Sequence, residues 1–166
     1  MKNILPILAL IIFSSISCDQ KSSNETIEYV LTEADSIKVI EQVLAASDQF
    51  AYSNNNLDVK SMMEYWHYKD PRFIGVENTD FVPSDGLYER VSNFYAVGVD
   101  TTNITWVKRE IIPITPKFAH LYGEYKFYMK QKSGEERRNY IYYSALLAEI
   151  NGTWGALRIQ ESYVDE

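Results

Sequence analysis

The chain has one cysteine, Cys18, and two histidines, His67 and His120, among its 166 residues. A single cysteine excludes an intramolecular disulfide and a thiolate zinc cluster. The two histidines stand in neither HxH nor HExxH spacing, so no metal site is expected from them. No cofactor is expected either. Basic runs are missing as well. Sixteen Lys and Arg face 23 Asp and Glu, for a formal net charge of −7. An acidic chain without a basic stripe is a poor partner for nucleic acid. No apolar run reaches the ~20 residues a membrane-spanning helix needs. There is no internal repeat and no low-complexity tract.

What is present begins at the N-terminus. Lys2 is followed by an apolar run from Ile4 to Phe13, interrupted by Pro6, and then by Ser14, Ser15, Ile16, Ser17 and Cys18. A basic start, a short apolar core and small residues make a secretory signal. Ser-Ile-Ser-Cys resembles the cleavage box of bacterial lipoproteins, in which the cysteine is acylated and becomes the mature N-terminus. The resemblance implies a signal peptide over 1–17, lipidation of Cys18, and a place in the cell envelope. There the chain would be lipid-anchored to a bacterial membrane and face away from the cytoplasm. Cleavage would leave 149 residues (166 less 17), enough for one domain with a full core. Residues 18–32 are polar and lack a clear period, as expected of a tether. The folded domain is expected over 33–166.

Within it, Asp35 is a candidate cap for a helix to about Tyr52, with apolar positions that include Ile37, Ile40, Val43 and Phe50. Asn56 can cap a second helix from Leu57 to about Trp66. Asp70-Pro71 ends it, because a residue before proline avoids helical geometry. Arg72–Glu77 reads as a short strand, and Ser84 as the cap of a third helix over Leu87–Ala96. From Asn103 the period becomes two. Strands are expected at Ile104–Ile112, Phe118–Gln131, Asn139–Ile150 and Thr153–Tyr163, with turns at Ser133-Gly134 and Asn151-Gly152. Helices followed by an antiparallel meander define an α+β domain.

In the long strand Ala119, Leu121, Gly123, Tyr125, Phe127 and Met129 share a face. Ala119-His120-Leu121-Tyr122-Gly123 is followed by Asn151-Gly152-Thr153-Trp154 and then by Gln160-Glu161-Ser162. Together with Gly86, these pieces resemble the SnoaL-like, nuclear transport factor 2-like superfamily, over about residues 33–163. The resemblance implies a cone-shaped fold, with three N-terminal helices packed on a strongly bent antiparallel sheet and a pocket between them. It also implies a homodimer through the outer sheet face, which the apolar residues assigned outward would serve: Leu157, Ile159 and Tyr163 of the last strand and Ile141, Tyr143, Ala145 and Leu147 of the strand before it. The tether could cover that face instead, through Ile27, Tyr29, Val30 and Leu31. Gln160 stands where the superfamily often has histidine. That removes the group able to trade protons near neutral pH.

The candidate chemistry follows from that frame. In ketosteroid isomerase, a distant member, an Asp-Pro pair after the second helix supplies the base. Asp70, partly desolvated by Trp66 and Phe73, is the matching proton-shuttling carboxylate, unless it only begins a turn before Pro71. Tyr52 is the candidate oxyanion donor. The aspartate that would complete that hole is missing from the strands between Ile104 and Ile150. Arg158 and Gln160 alternate with Leu157 and Ile159, so with Trp154 and Ala156 they are expected on the concave side. There Arg158 could grip a ligand carboxylate or pair with Glu64 or Asp70. Trp66, Phe73, Trp106, Tyr125, Phe127 and Tyr142 are candidate pocket aromatics, or simply core. The chain carries 13 tyrosines.

Three functions remain open on these residues. One is a lipid-anchored domain that binds a small apolar or aromatic molecule and meets the membrane only through its N-terminal lipid. The second is a cofactor-free proton-transfer enzyme using Asp70. The third is a pocket-free interaction module.

Overall fold

The computed structural model describes residues 30–165. The expected signal segment, Cys18 and most of the expected tether, with Ile27 and Tyr29, lie outside the described residues. Among the described residues no helix is long and apolar enough to cross a membrane.

Helix α1 spans Glu33–Asn55 and α2 spans Val59–Tyr65. Strands β1 (Ile74–Glu77) and β2 (Asp80–Val82) form a hairpin, and α3 spans Leu87–Gly98. Four long strands follow: β3 (Val99–Thr115), β4 (Phe118–Gln131), β5 (Glu136–Ile150) and β6 (Thr153–Asp165). They make one six-stranded sheet in the order β2-β1-β6-β5-β4-β3. It is curved and unclosed, with the three helices against it.

The helix starts differ from the sequence expectation by a few residues. Thr32, not Asp35, caps α1. Its hydroxyl accepts from the Asp35 amide, and the Asp35 carboxylate reaches back to Thr32 in a capping box. Asp58, not Asn56, caps α2 and accepts from the Ser61 amide at 3.1 Å. Leu57 is spent on a left-handed turn at φ 56°. Helix α3 starts after Gly86 at φ 65°, with no side-chain cap from Ser84. The hairpin turn Asn151-Gly152 has φ 52° and 81°, the pair of positive angles that its residue types tolerate. The short strand β2 went unforeseen.

Alternation sets the two faces of the sheet. Ala119, Leu121, Tyr125 and Met129 of β4 point inward with Ile141, Tyr143, Ala145 and Leu147 of β5, all at 3% exposure or less. The opposite assignment, with these β5 residues facing outward, is therefore corrected. The cause lies in β6. Leu147 pairs with Ala156 and Leu146 pairs with Arg158, so Leu157 is the extra residue of a β-bulge. A bulge shifts the phase of alternation by one. Trp154 and Ala156 face inward as expected. Beyond the bulge Ile159 and Glu161 are buried, while Arg158 and Gln160 are exposed.

Against this inner face α1 lays Val39, Val43, Ser47, Phe50 and Ala51, all buried. The Trp106 ring packs edge-on against Tyr125 and Tyr143 at 5.0 and 5.7 Å. Gly123 makes room for it, since a Cβ there would fall 2.6 Å from the Trp106 ring. The edge strand β3 carries three register shifts, which bend it along its 17 residues.

Candidate functional site

The helices do not fill the whole concave face. A half-open cavity of about 1080 Å³ remains between α3, the β1–β2 hairpin and the inner face of the sheet. Its walls include Phe50, Trp66, Tyr95, Tyr125, Phe127 and Ile141. Helix α3 stands off from the sheet, with Leu87 alone of its residues buried. Phe81 and Phe94 line the cavity yet are 77% and 47% exposed, at its rim.

One ionisable group sits deep in this wall. Glu161 is 6% exposed. Tyr125 donates its hydroxyl to Glu161 Oε1 at 2.7 Å, and Tyr163 donates to Oε2 at 2.9 Å. Burial is the main influence on its carboxyl and pushes the pKa up. The two tyrosine hydrogen bonds act the other way, and the nearby Glu77 adds to the rise. Glu77 is the register partner of Glu161 across the parallel β1–β6 pair and also lines the cavity. The Asn78 amide donates to the Glu161 carbonyl at 2.7 Å and its side-chain oxygen accepts from the Tyr163 amide at 2.9 Å, fixing this corner.

Below it lies a second phenol pair. Tyr65 and Tyr143 hydroxyls meet at 3.1 Å, fully inside the core. Burial raises the pKa of both, so they stay neutral donors and acceptors. Tyr95 accepts a hydrogen bond from Asn54 Nδ2 at 2.9 Å, and burial pushes its pKa up to about 12.

The expected site residues divide. Trp66 and Tyr125 line the cavity. Phe73 is 8% exposed and Trp106 packs among tyrosines, so both belong to the core rather than to the cavity wall. Tyr142 and Gln160 face the other side of the sheet and border a shallow groove there with Tyr122, Ser144 and Ser162. Arg158 is exposed on that same side because of the bulge. Tyr52 is 64% exposed on α1, away from the cavity.

Asp70 is not in the cavity wall. Arg72 grips both carboxylate oxygens at 2.8 Å, and its amide donates to the same group at 2.9 Å. Those hydrogen bonds lower the Asp70 pKa to about 2, the opposite of the raised base its sequence position suggested. Glu161, which the sequence analysis did not single out, is the carboxyl in the desolvated setting. The adjacent apolar pair Ala156-Leu157 was its one signal. Two apolar residues in a row break strict alternation, and counting back from Tyr163 puts Ile159 and Glu161 inside. Among the described residues no His, Cys, Asp and Glu cluster could hold a metal ion.

No family model matches the sequence, and no curated protein matches it. Solved structures do match. A scytalone dehydratase-like protein from Novosphingobium aromaticivorans superposes with a TM-score of 0.71 at 7% identity, over 80% of this chain and 89% of that one. A nuclear transport factor 2-like protein from Salmonella enterica gives 0.66 at 12% identity, over 78% and 94%. A ketosteroid isomerase-like protein from Erwinia carotovora gives 0.59 at 14%, over 76% and 96%. Three helices on a bent six-stranded sheet, with a hollow between, make this the cone fold of the nuclear transport factor 2-like proteins. Identities this low speak for the fold alone.

Proposed function

We propose that this protein is a lipid-anchored, extracytoplasmic domain that binds a small, largely apolar or aromatic molecule in its cone. The observation that carries the reading is the half-open, aromatic-walled cavity of about 1080 Å³, just above the roughly 300–1,000 Å³ typical of small-molecule sites. An open cavity of that size argues against a pocket-free interaction module. Native mass spectrometry of the purified protein tests it. A co-purified or added small aromatic molecule should appear as a mass adduct, and Val91→Trp, which fills the cavity wall, should remove it. Failure of every small apolar probe to bind would sink the reading.

The envelope location rests on the Ser-Ile-Ser-Cys box. Labelled palmitate should enter the wild-type chain and not Cys18→Ala. One acyl chain holds a membrane marginally and two hold it durably.

A second reading, cofactor-free proton transfer, moves from Asp70 to Glu161. A buried carboxyl with a raised pKa in an apolar cavity is what such chemistry uses. A hexachlorocyclohexane dehydrochlorinase shares this fold, which supports the reading. Solvent deuterium entering a cavity-bound ketone, and lost in Glu161→Gln, would favour it over simple binding.

A homodimer through the outer sheet face is also part of the proposal. Tyr122 and Tyr142 are 49% and 52% exposed there. Ile159 is buried on the inner side, so the diagnostic substitution is Tyr142→Lys. It should shift a wild-type dimer to monomer in sedimentation, and a monomeric wild type would end the idea.

A further inference from the structure

The buried carboxyl in the cavity has hydrogen-bond donors but no counter-charge. Glu161 accepts from two tyrosine hydroxyls, and its register partner across the sheet is a second acid, Glu77. Among the described residues no lysine, arginine or histidine forms an ion pair with either carboxylate. The arginines around the rim are committed elsewhere. Arg90 donates to the backbone carbonyls of Pro83 and Asp85, Arg137 pairs with Glu135, and Arg138 pairs with Glu136. Asp80 stands in the rim with Glu77, and the chain as a whole carries −7. A buried ionised carboxylate without a cation is costly. The same cavity is walled by the aromatic residues Trp66, Tyr95 and Phe127, and aromatic faces attract cations, most strongly where water is excluded.

We infer that the ligand is a hydrophobic organic ammonium, whose positive nitrogen meets Glu161 while its apolar body lies against the aromatic wall. The inference rests on the small-molecule reading of the cavity and narrows it to a chemical class. The incoming cation supplies the missing charge. Tyr125 and Tyr163 hold the carboxylate oxygens fixed, so little reorganisation accompanies binding.

The test uses three probes with the same ring: 1-naphthylmethylammonium, its neutral alcohol 1-naphthylmethanol, and the anion 1-naphthoate. Titration calorimetry at neutral pH on the full-length protein should place the ammonium about tenfold or more tighter than the alcohol, with the anion weakest. Glu161→Gln should bring ammonium and alcohol to within about twofold of each other. The comparison of three probes on wild-type protein stands even if that variant fails to fold. Equal binding of ammonium and alcohol, or a preference for the anion, overturns the inference and leaves the small-molecule reading intact. Binding of none of the three overturns both.

Discussion

The two ends of the concave face are made from the same four long strands, yet one is filled and the other hollow. At the filled end the inward residues are Ala119, Leu121, Ala145, Leu147 and Ala156, each at 1% exposure or less. The small Ala156 and its neighbour Gly155 let the chain after α2 come close. The Trp66 backbone bridges to Ala156, and a Cβ on Gly155 would fall 2.5 Å from the Tyr65 carbonyl oxygen. Trp154 closes this end and donates its indole N–H to Gln42 at 3.2 Å. At the hollow end the strands carry Phe127, Met129, Ile141, Glu161 and Tyr163, and α3 stands clear of them. The difference teaches how one sheet can hold the fold together at one end and leave a cavity at the other. Tight packing lies at the filled end, and the buried carboxyl of Glu161 lies at the hollow one.

Substitutions can break this division or sharpen it. The largest effect is expected at Trp154. Trp154→Ala should lower the unfolding free energy by about 3–5 kcal/mol, read by chemical denaturation. A loss below about 1 kcal/mol would mean that the filled end does not hold the fold. Gly155→Ala should cost about 1–3 kcal/mol by forcing the strand away from Tyr65. At the hollow end Tyr125→Phe should cost about 1–2 kcal/mol, the price of one donor lost from a buried carboxylate. Val91→Phe, in the cavity wall, should change stability by less than about 1 kcal/mol because the added volume enters empty space. If it matched Gly155→Ala in damage, the hollow end would be as tightly packed as the other.

The smallest effects are titrations, and they run in opposite directions. Asp70 has its pKa lowered to about 2 from 3.8, so its contribution is full above 3.8 and fades as pH falls toward 2. Glu161 has its pKa raised above 4.5. The folded chain then holds that proton more tightly than the unfolded one, and stability falls as pH rises from 4.5 through the raised value. Melting curves across pH should therefore flatten on the acid side in Asp70→Asn and on the less acid side in Glu161→Gln. The same flattening in both variants would show that the two carboxyls do not differ.

Much of this was legible in the chain. The bounds of β4, Phe118–Gln131, followed from unbroken alternation, and the turn at Asn151-Gly152 from residues that accept positive φ. Those signals are local. The site was less legible because its decisive feature is not local. Whether Leu157 is paired or bulged depends on where Leu146 and Leu147 sit in the neighbouring strand, and one unpaired residue reverses every face beyond it. Asp70 misled for a related reason. Its surroundings were inferred from Trp66 and Phe73, while its behaviour is set by Arg72 two residues away.

The bulge at Leu157 also bears on how this fold can change. Leu147 pairs with Ala156 and Leu146 with Arg158, so removing the surplus Leu157 would leave every other cross-strand partner in place. Ile159 and Glu161 would stay inside and Arg158 and Gln160 outside. One codon can be lost here with the cavity wall intact, whereas loss of a paired residue such as Gln160 would turn Glu161 to the opposite face.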